Sequence, residues 1–161
     1  MKSSIGKAAL AAALALGAAG AASAGVTVNY VDSDKFSDLP FTSWEREDVL
    51  RQLTGHFTKL GSRLPAGQDL AVEVLDVDLA GREYPSRRAG GDLRVLQGSA
   101  DWPIIELRYT LSAGGQVLDS GKVRLADMMY MDRPVRGFDS DPLRYEKRMI
   151  DEWFDKTILK K

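Results

Sequence analysis

The stretch Pro103 to Leu125, PIIELRYTLSAGGQVLDSGKVRL, constrains the fold more than any other part of the chain. Ile105, Leu107, Tyr109 and Leu111 alternate with Ile104, Glu106, Arg108 and Thr110. That is the period-two pattern of a half-buried strand. After Gly114-Gly115 the chain returns with Val117, Val123 and Leu125 at odd positions and Lys122 and Arg124 at even ones. A plain two-residue Gly-Gly turn would pair Leu107 with Lys122 and put cations on the apolar face, since a one-residue slip reverses every side chain. A three-residue loop, Ala113 to Gly115, instead pairs Leu111 with Val117 and Ile105 with Val123, sets Glu106 opposite Lys122, and places Gly121 opposite Leu107 with room for Tyr109. One apolar and one charged face predict an antiparallel sheet covered on one side only.

Two amphipathic helices supply the cover. Thr42-Ser43-Trp44-Glu45 fits a capping box. The helix after it carries Val49, Leu50, Leu53, Phe57, Leu60 and Leu64 on one face, then ends at Gly61, Pro65 and Gly67. Asp141-Pro142 reads as an N-cap with proline in the first turn. It opens a last helix with the stripe Leu143, Met149, Ile150, Trp153, Phe154 and Ile158. Further strands are expected at Val26–Val31, Asp69–Leu79 and Leu93–Leu96. The phase of Asp69–Leu79 changes midway, which calls either for a bulge near Val74-Leu75 or for cover on both faces. Ala80–Asp92 reads as an exposed loop and Ala126–Ser140 as an irregular segment. The expected fold is therefore α+β: a mostly antiparallel sheet of about five strands with two amphipathic helices on one face.

The chain opens differently. Lys2 and Lys7, an apolar run from Ala8 to Ala19, and Ala22-Ser23-Ala24 form the three regions of a secretory signal peptide. Cleavage is expected between Ala24 and Gly25, leaving residues 25–161 as a single α+β domain of 137 residues with no membrane anchor. The apolar run is shorter than the roughly 20 residues a retained membrane helix needs. The expected fate is export by the secretory route.

Composition narrows the chemistry. The chain has no cysteine and one histidine. Thiol catalysis, thiolate zinc sites, iron–sulfur clusters and disulfides are thereby excluded. Without Lys2 and Lys7 the chain has 20 basic against 23 acidic groups, a charge of −3. Nothing in that balance recommends nucleic acid as a partner. Nor does any feature set an oligomeric state.

Five groups of residues come into question for a site. Asp76 and Asp78 lie on one strand face about 7 Å apart, so they could hold a hard cation or do acid–base work. The preferred reading is a wet face pairing across the sheet to Arg94 or Arg108, because cross-strand ion pairs are routine. His56 has no second histidine and no G-x-S-x-G serine to work with. Met128, Met129 and Met131 form a soft-ligand cluster of the kind that binds Cu(I); gap filling is the preferred alternative. Arg82, Arg87 and Arg88 beside Tyr84 could contact an anionic envelope polymer, although a solvated loop suffices. Tyr145, Glu146 and Arg148 read as helix-surface pairs. No catalytic residue, metal ligand or cofactor is assigned.

Several stretches together resemble a known family. They are Leu75-Asp76-Val77-Asp78-Leu79-Ala80-Gly81, Ala100-Asp101-Trp102-Pro103, Leu107-Arg108-Tyr109, and Asp141 to Met149 (DPLRYEKRM) with Trp153-Phe154. The chain is similar there to the exported bacterial proteins grouped as domain of unknown function 3016, over about residues 26 to 155. The resemblance implies a bacterial, periplasmic setting and no assigned activity.

The expected function is a non-catalytic periplasmic accessory or interaction protein, with an envelope protein or polymer as partner. Its working surface would be the uncovered face with Asp76, Asp78, Arg94, Glu106, Arg108, Lys122 and Arg124, plus the loop from Arg82 to Gly91. Two alternatives stand beside it. One is a metal-binding protein using the methionines or Asp76 and Asp78; the other is a carboxylate-based hydrolase.

Overall fold

The structure, a computed structural model, describes residues 24–86, 91–98, 100–134 and 140–161. The signal-peptide reading of residues 1–23, Arg87 and Arg88, and residues 135–139 of the irregular segment lie outside the described residues.

The elements run β1 (Gly25–Tyr30), α1 (Ser43–Gly61), β2 (Gln68–Asp78), β3 (Arg82–Ser86), β4 (Gly91–Val95), β5 (Ile104–Ala113), β6 (Gln116–Ala126) and α2 (Arg144–Trp153). A π-helical turn, Phe154–Ile158, continues α2. The main sheet has four strands in the order β1-β2-β5-β6, and β3-β4 forms a separate two-stranded sheet. The fold is α+β as expected, but the sheet is mixed and smaller than five strands. β1 and β2 pair in parallel, from Gly25↔Asp69 to Tyr30↔Val74. The physical reason is α1: a helix between two neighbouring strands returns the chain to its starting edge, and so makes them parallel. Ala80–Asp92 is also not all loop, because Arg82–Ser86 pairs with Gly91–Val95.

The β5–β6 hairpin keeps the expected faces with a different register. Its turn is the two-residue Gly114-Gly115, both glycines at positive φ, with Ala113 opposite Gln116. A bulge follows between Leu111 and Ser112. It shifts the register once, so that Leu107 meets Val123, Glu106 meets Arg124 and Tyr109 meets Gly121. The bulge, rather than a longer loop, returns Lys122 and Arg124 to the wet face. Gly121 does make room for Tyr109, whose ring lies 3.2 Å from where a Cβ would stand. In β2 the register shifts between Val74 and Asp76, which is the bulge its change of phase called for.

One core joins α1, α2 and a single face of the sheet. Leu53, Phe57 and Leu60 of α1 and Met149, Ile150 and Trp153 of α2 pack with Leu70, Val72, Val74, Ile105, Leu107 and Tyr109. An isolated helix of α1's length is marginal in water, so this docking stabilises it. Gly61 permits close approach: a Cβ there would fall 2.8 Å from Val26 Cγ2. Thr42 stands at the N-cap of α1, but the expected capping box does not form: its hydroxyl donates to the Glu45 carboxylate and makes no bond to a backbone amide. α2 begins later than its sequence suggests, because Asp141 caps a preceding turn by accepting from the Leu143 amide at 2.9 Å.

Candidate functional site

The candidate site residues fall into two groups. The first is a clasp that holds the β3-β4 hairpin to the end of β2. Asp38 accepts from Arg94 at 2.8 Å and from Arg82 at 3.2 Å. Arg82 also reaches Asp78 at 2.8 Å, and Arg94 reaches Glu83 at 3.2 Å. Asp38 is placed there by backbone bonds on both sides, its amide to Val77 O and its carbonyl to Leu79 N. Arg94 therefore belongs to the clasp and not to the open sheet face. Asp78 pairs with Arg82 in place of the expected Arg94 or Arg108. Asp76 pairs with no cation among the described residues. Its two oxygens take the Ser37 amide at 2.7 Å and the Ser37 hydroxyl at 2.6 Å.

The second group stays on the open face. Arg108 pairs with Glu73 at 2.8 Å. Glu106 lies between Lys122 at 3.3 Å and Arg124 at 3.8 Å. Strand pairing lines up Thr27, Ala71, Thr110 and Ser120 as a row of small side chains across all four strands. Beside that row the charge is graded. β2 contributes Asp69, Glu73 and Asp76, while β6 contributes Lys122 and Arg124. With neighbouring strands about 4.8 Å apart, the acidic strand β2 and the basic edge strand β6 lie ~10 Å from each other. Such a surface can orient a partner of opposite polarity. It offers no activated nucleophile.

His56 lies in a groove between α1 and α2, a cavity of about 1050 Å³. Its Nε2 is 2.7 Å from Asp151 Oδ1. The other charges of the groove are largely matched: Lys147 with Asp141 at 2.6 Å, Arg63 with Asp155, and Arg133 with Glu152. Burial pulls the Asp141 carboxyl upward, yet hydrogen bonds from Lys147 and the Leu143 amide outweigh it and hold the group below the usual carboxylate range. Ser62, the one hydroxyl in the lining among the described residues, donates to Lys59 O at 2.8 Å. A histidine–aspartate pair is present, but among the described residues no free nucleophile stands beside it.

A third region holds residues whose roles the sequence misjudged. Tyr145 and Glu146 do not lie on the helix surface; both are buried. Glu146 Oε1 accepts the Ala80 amide at 2.8 Å, while its Oε2 has no partner among the described residues. Burial raises the Glu146 carboxyl above its ordinary value against the lowering effect of the Ala80 bond. Tyr130 is fully buried and donates to Asp101 Oδ1 at 2.7 Å. Burial, helped by that bond, pushes its phenol up to about 12. Its ring meets Tyr145 edge-on at 4.7 Å, and Arg148 bonds the Tyr130 carbonyl and Asp127. A signal for Glu146 was available: positions 146, 149, 150 and 153 share one helical face. The methionines do not fill gaps either. Met128, Met129 and Met131 are 61, 58 and 50% exposed.

Together these features define a small α+β domain with one helix-covered and one open sheet face. Among the described residues no group of three or more histidine, aspartate or glutamate side chains is arranged to hold a metal ion. No helix among them is long and apolar enough to cross a membrane. The family model for proteins of unknown function DUF3016 matches residues 24–156, and the chain belongs to that family. No curated protein and no solved structure matches it.

Proposed function

We propose that the protein is a non-catalytic accessory or interaction module of the bacterial periplasm, and that it meets an envelope protein or polymer through its open sheet face. The observation that carries this reading is the graded charge on an uncovered four-stranded surface. Antiparallel pairs tolerate one wet face, so exposure alone would mean little. The ordering of acids on β2 and cations on β6 gives that face a direction. Export is supported by the Ala22-Ser23-Ala24 signature directly before β1, which begins at Gly25. The carboxylate-hydrolase reading draws less support, because Asp76 is engaged by Ser37 and Asp78 by Arg82.

Photocrosslinkers at Thr110 and Ser120, tested in cells against a control at Lys59 in the helical groove, examine the surface. Adducts from the first two positions are expected. Their absence, or adducts from Lys59 alone, would remove the reading. Mass spectrometry of the secreted pool should find a chain starting at Gly25, and an intact Met1 in that pool would contradict export by cleavage.

A metal-handling reading keeps one observation of its own, the exposed thioethers of Met128, Met129 and Met131. Cu(I) suits such ligands. Titration of the purified chain with Cu(I) decides it, and retention of full affinity after replacing all three methionines with leucine would end it.

A further inference from the structure

β6 is a terminal strand of the main sheet, and none of the described residues pairs with its outer edge. It is 11 residues long, and a long open edge presents a row of unpaired backbone groups that can template another chain. Beside that edge runs a groove of about 360 Å³ between β6 and α2, with Val123 and Leu125 on one wall and Met149 and Trp153 on the other. Trp153 is 5% exposed, and its indole N–H has no acceptor among the described residues. Buried indole donors usually find a partner. The groove is mixed in character, for Arg124, Asp127, Arg133, Glu152 and Lys156 also line it, and an edge strand beside a helix with a partly apolar groove between them is the geometry by which domains add an extended peptide to a sheet.

Charge selects the occupant. On the wet side of β6, Lys122 and Arg124 share one carboxylate, Glu106, and remain more than half exposed. Lys156, at the groove's rim, is 73% exposed and pairs only loosely with Glu152, at 3.8 Å. A second copy of this chain pairing antiparallel along β6 would bring two sets of Lys122 and Arg124 onto one face, and like charges placed opposite each other are destabilising. A strand whose side chains alternate between acidic and apolar avoids this. Its acids would lie beside Lys122 and Arg124, and its apolar residues would enter the groove over Val123 and Leu125.

We propose that the β6–α2 groove receives an extended segment of another protein, alternating acidic and apolar residues, by strand addition to the β6 edge. This rests on the reading of the protein as an interaction module and names its mode of binding. The probe is an acetylated, amidated peptide alternating glutamate and valine over about eight residues, long enough to span the strand's central positions. NMR titration of the isotope-labelled mature chain should show shifts on β6 and the facing side of α2 that saturate below about 1 mM. Lys122→Glu with Arg124→Glu should weaken binding at least about tenfold, since opposed charges set such encounters. N-methylation of one alternate set of peptide amides should abolish binding, while methylation of the other set leaves it, because only one set faces the strand.

Equal binding of a lysine–valine peptide, or equal binding of both methylated peptides, overturns the proposal. So does failure to saturate, or a concentration-dependent dimer of the chain that the peptide does not dissolve. Crosslinks from Thr110 that persist when the peptide fails would leave the module reading standing and remove only the edge assignment.

Discussion

The open sheet face and the buried cluster around Tyr130 are both polar, and they sit on opposite sides of the energy scale. On the open face Arg108, Lys122 and Arg124 are each more than half exposed. In the cluster Tyr130, Glu146 and Asp101 are 0, 1 and 4% exposed. Exposed pairs exchange water for each other at little net gain. Buried groups that lose a partner bear the full cost of desolvation. The motif stretches converge on the buried side: Ala80 from the first, Asp101 from the second, Tyr145 and Glu146 from the last. Ala80, Asp101, Tyr145 and Glu146 together form a device for joining α2, the end of β2 and the segment after β6. The surface with the best claim to a partner is drawn from residues outside most of that device.

The largest test of this contrast is Tyr130→Ala. It removes a fully buried ring, its edge contact with Tyr145 and its bond to Asp101, and should cost ~3–5 kcal/mol in urea unfolding. A cost below about 1 kcal/mol would show the cluster to be dispensable. Tyr130→Phe separates the hydroxyl from the ring. It should cost ~1–3 kcal/mol at neutral pH by leaving Asp101 Oδ1 and the Gly98 amide without it. An unfolded phenol ionises near its ordinary value of 10.0, while the folded one holds its proton to about 12. Between those values the unfolded state has fewer protons bound, so stability falls as pH rises. The wild type should lose its advantage over the phenylalanine variant across that window. A constant gap from pH 10 to 12 would contradict the assignment.

Glu146→Gln is the next effect in size. The carboxamide keeps an acceptor for the Ala80 amide and carries no charge. The folded carboxyl titrates above its ordinary value of 4.5. Above that value the unfolded state releases its proton first, so the wild type loses stability as pH rises until the folded group also ionises. The glutamine variant lacks this loss. It should gain on the wild type between pH 4 and pH 8, with the two closest at the acid end. Equal differences at both ends would mean that the buried carboxyl is not held protonated. Glu146→Leu, which leaves the Ala80 amide unpaired, should cost ~1–3 kcal/mol at either pH.

Alternation and helical spacing made the strand faces, both helices and the β2 bulge legible. What they missed is set by contacts between distant segments. The parallel pairing of β1 with β2 follows from which edge α1 returns to, and no residue in VTVNYV announces it. The hairpin register depended on a bulge beyond the turn, and a longer loop satisfied the same side-chain pattern. Tyr145 and Glu146 looked like helix-surface residues because their cover, Tyr130 and Ala80, comes from 15 and 66 positions away. Of the candidate surface, Glu106, Arg108, Lys122 and Arg124 stayed together, because strand alternation alone fixes their side. Arg82 and Arg94 left it for Asp38, a residue that only the loop after β1 could bring there, and Asp78 went with Arg82.

The smallest expected effect sharpens the contrast most directly. A double-mutant cycle on Glu73 and Arg108, which are 2.8 Å apart on the open face, should give a coupling of ~0.2–1 kcal/mol that shrinks with added salt. Both side chains are about half exposed, so water and ions compete for each of them. If the coupling were several kcal/mol and insensitive to salt, the face would have to be covered in solution, and its charges would be structural. If it is small, the same groups can leave each other for a partner's charges at little cost. A surface that is to be remade on binding needs that property, and the cluster around Tyr130 lacks it.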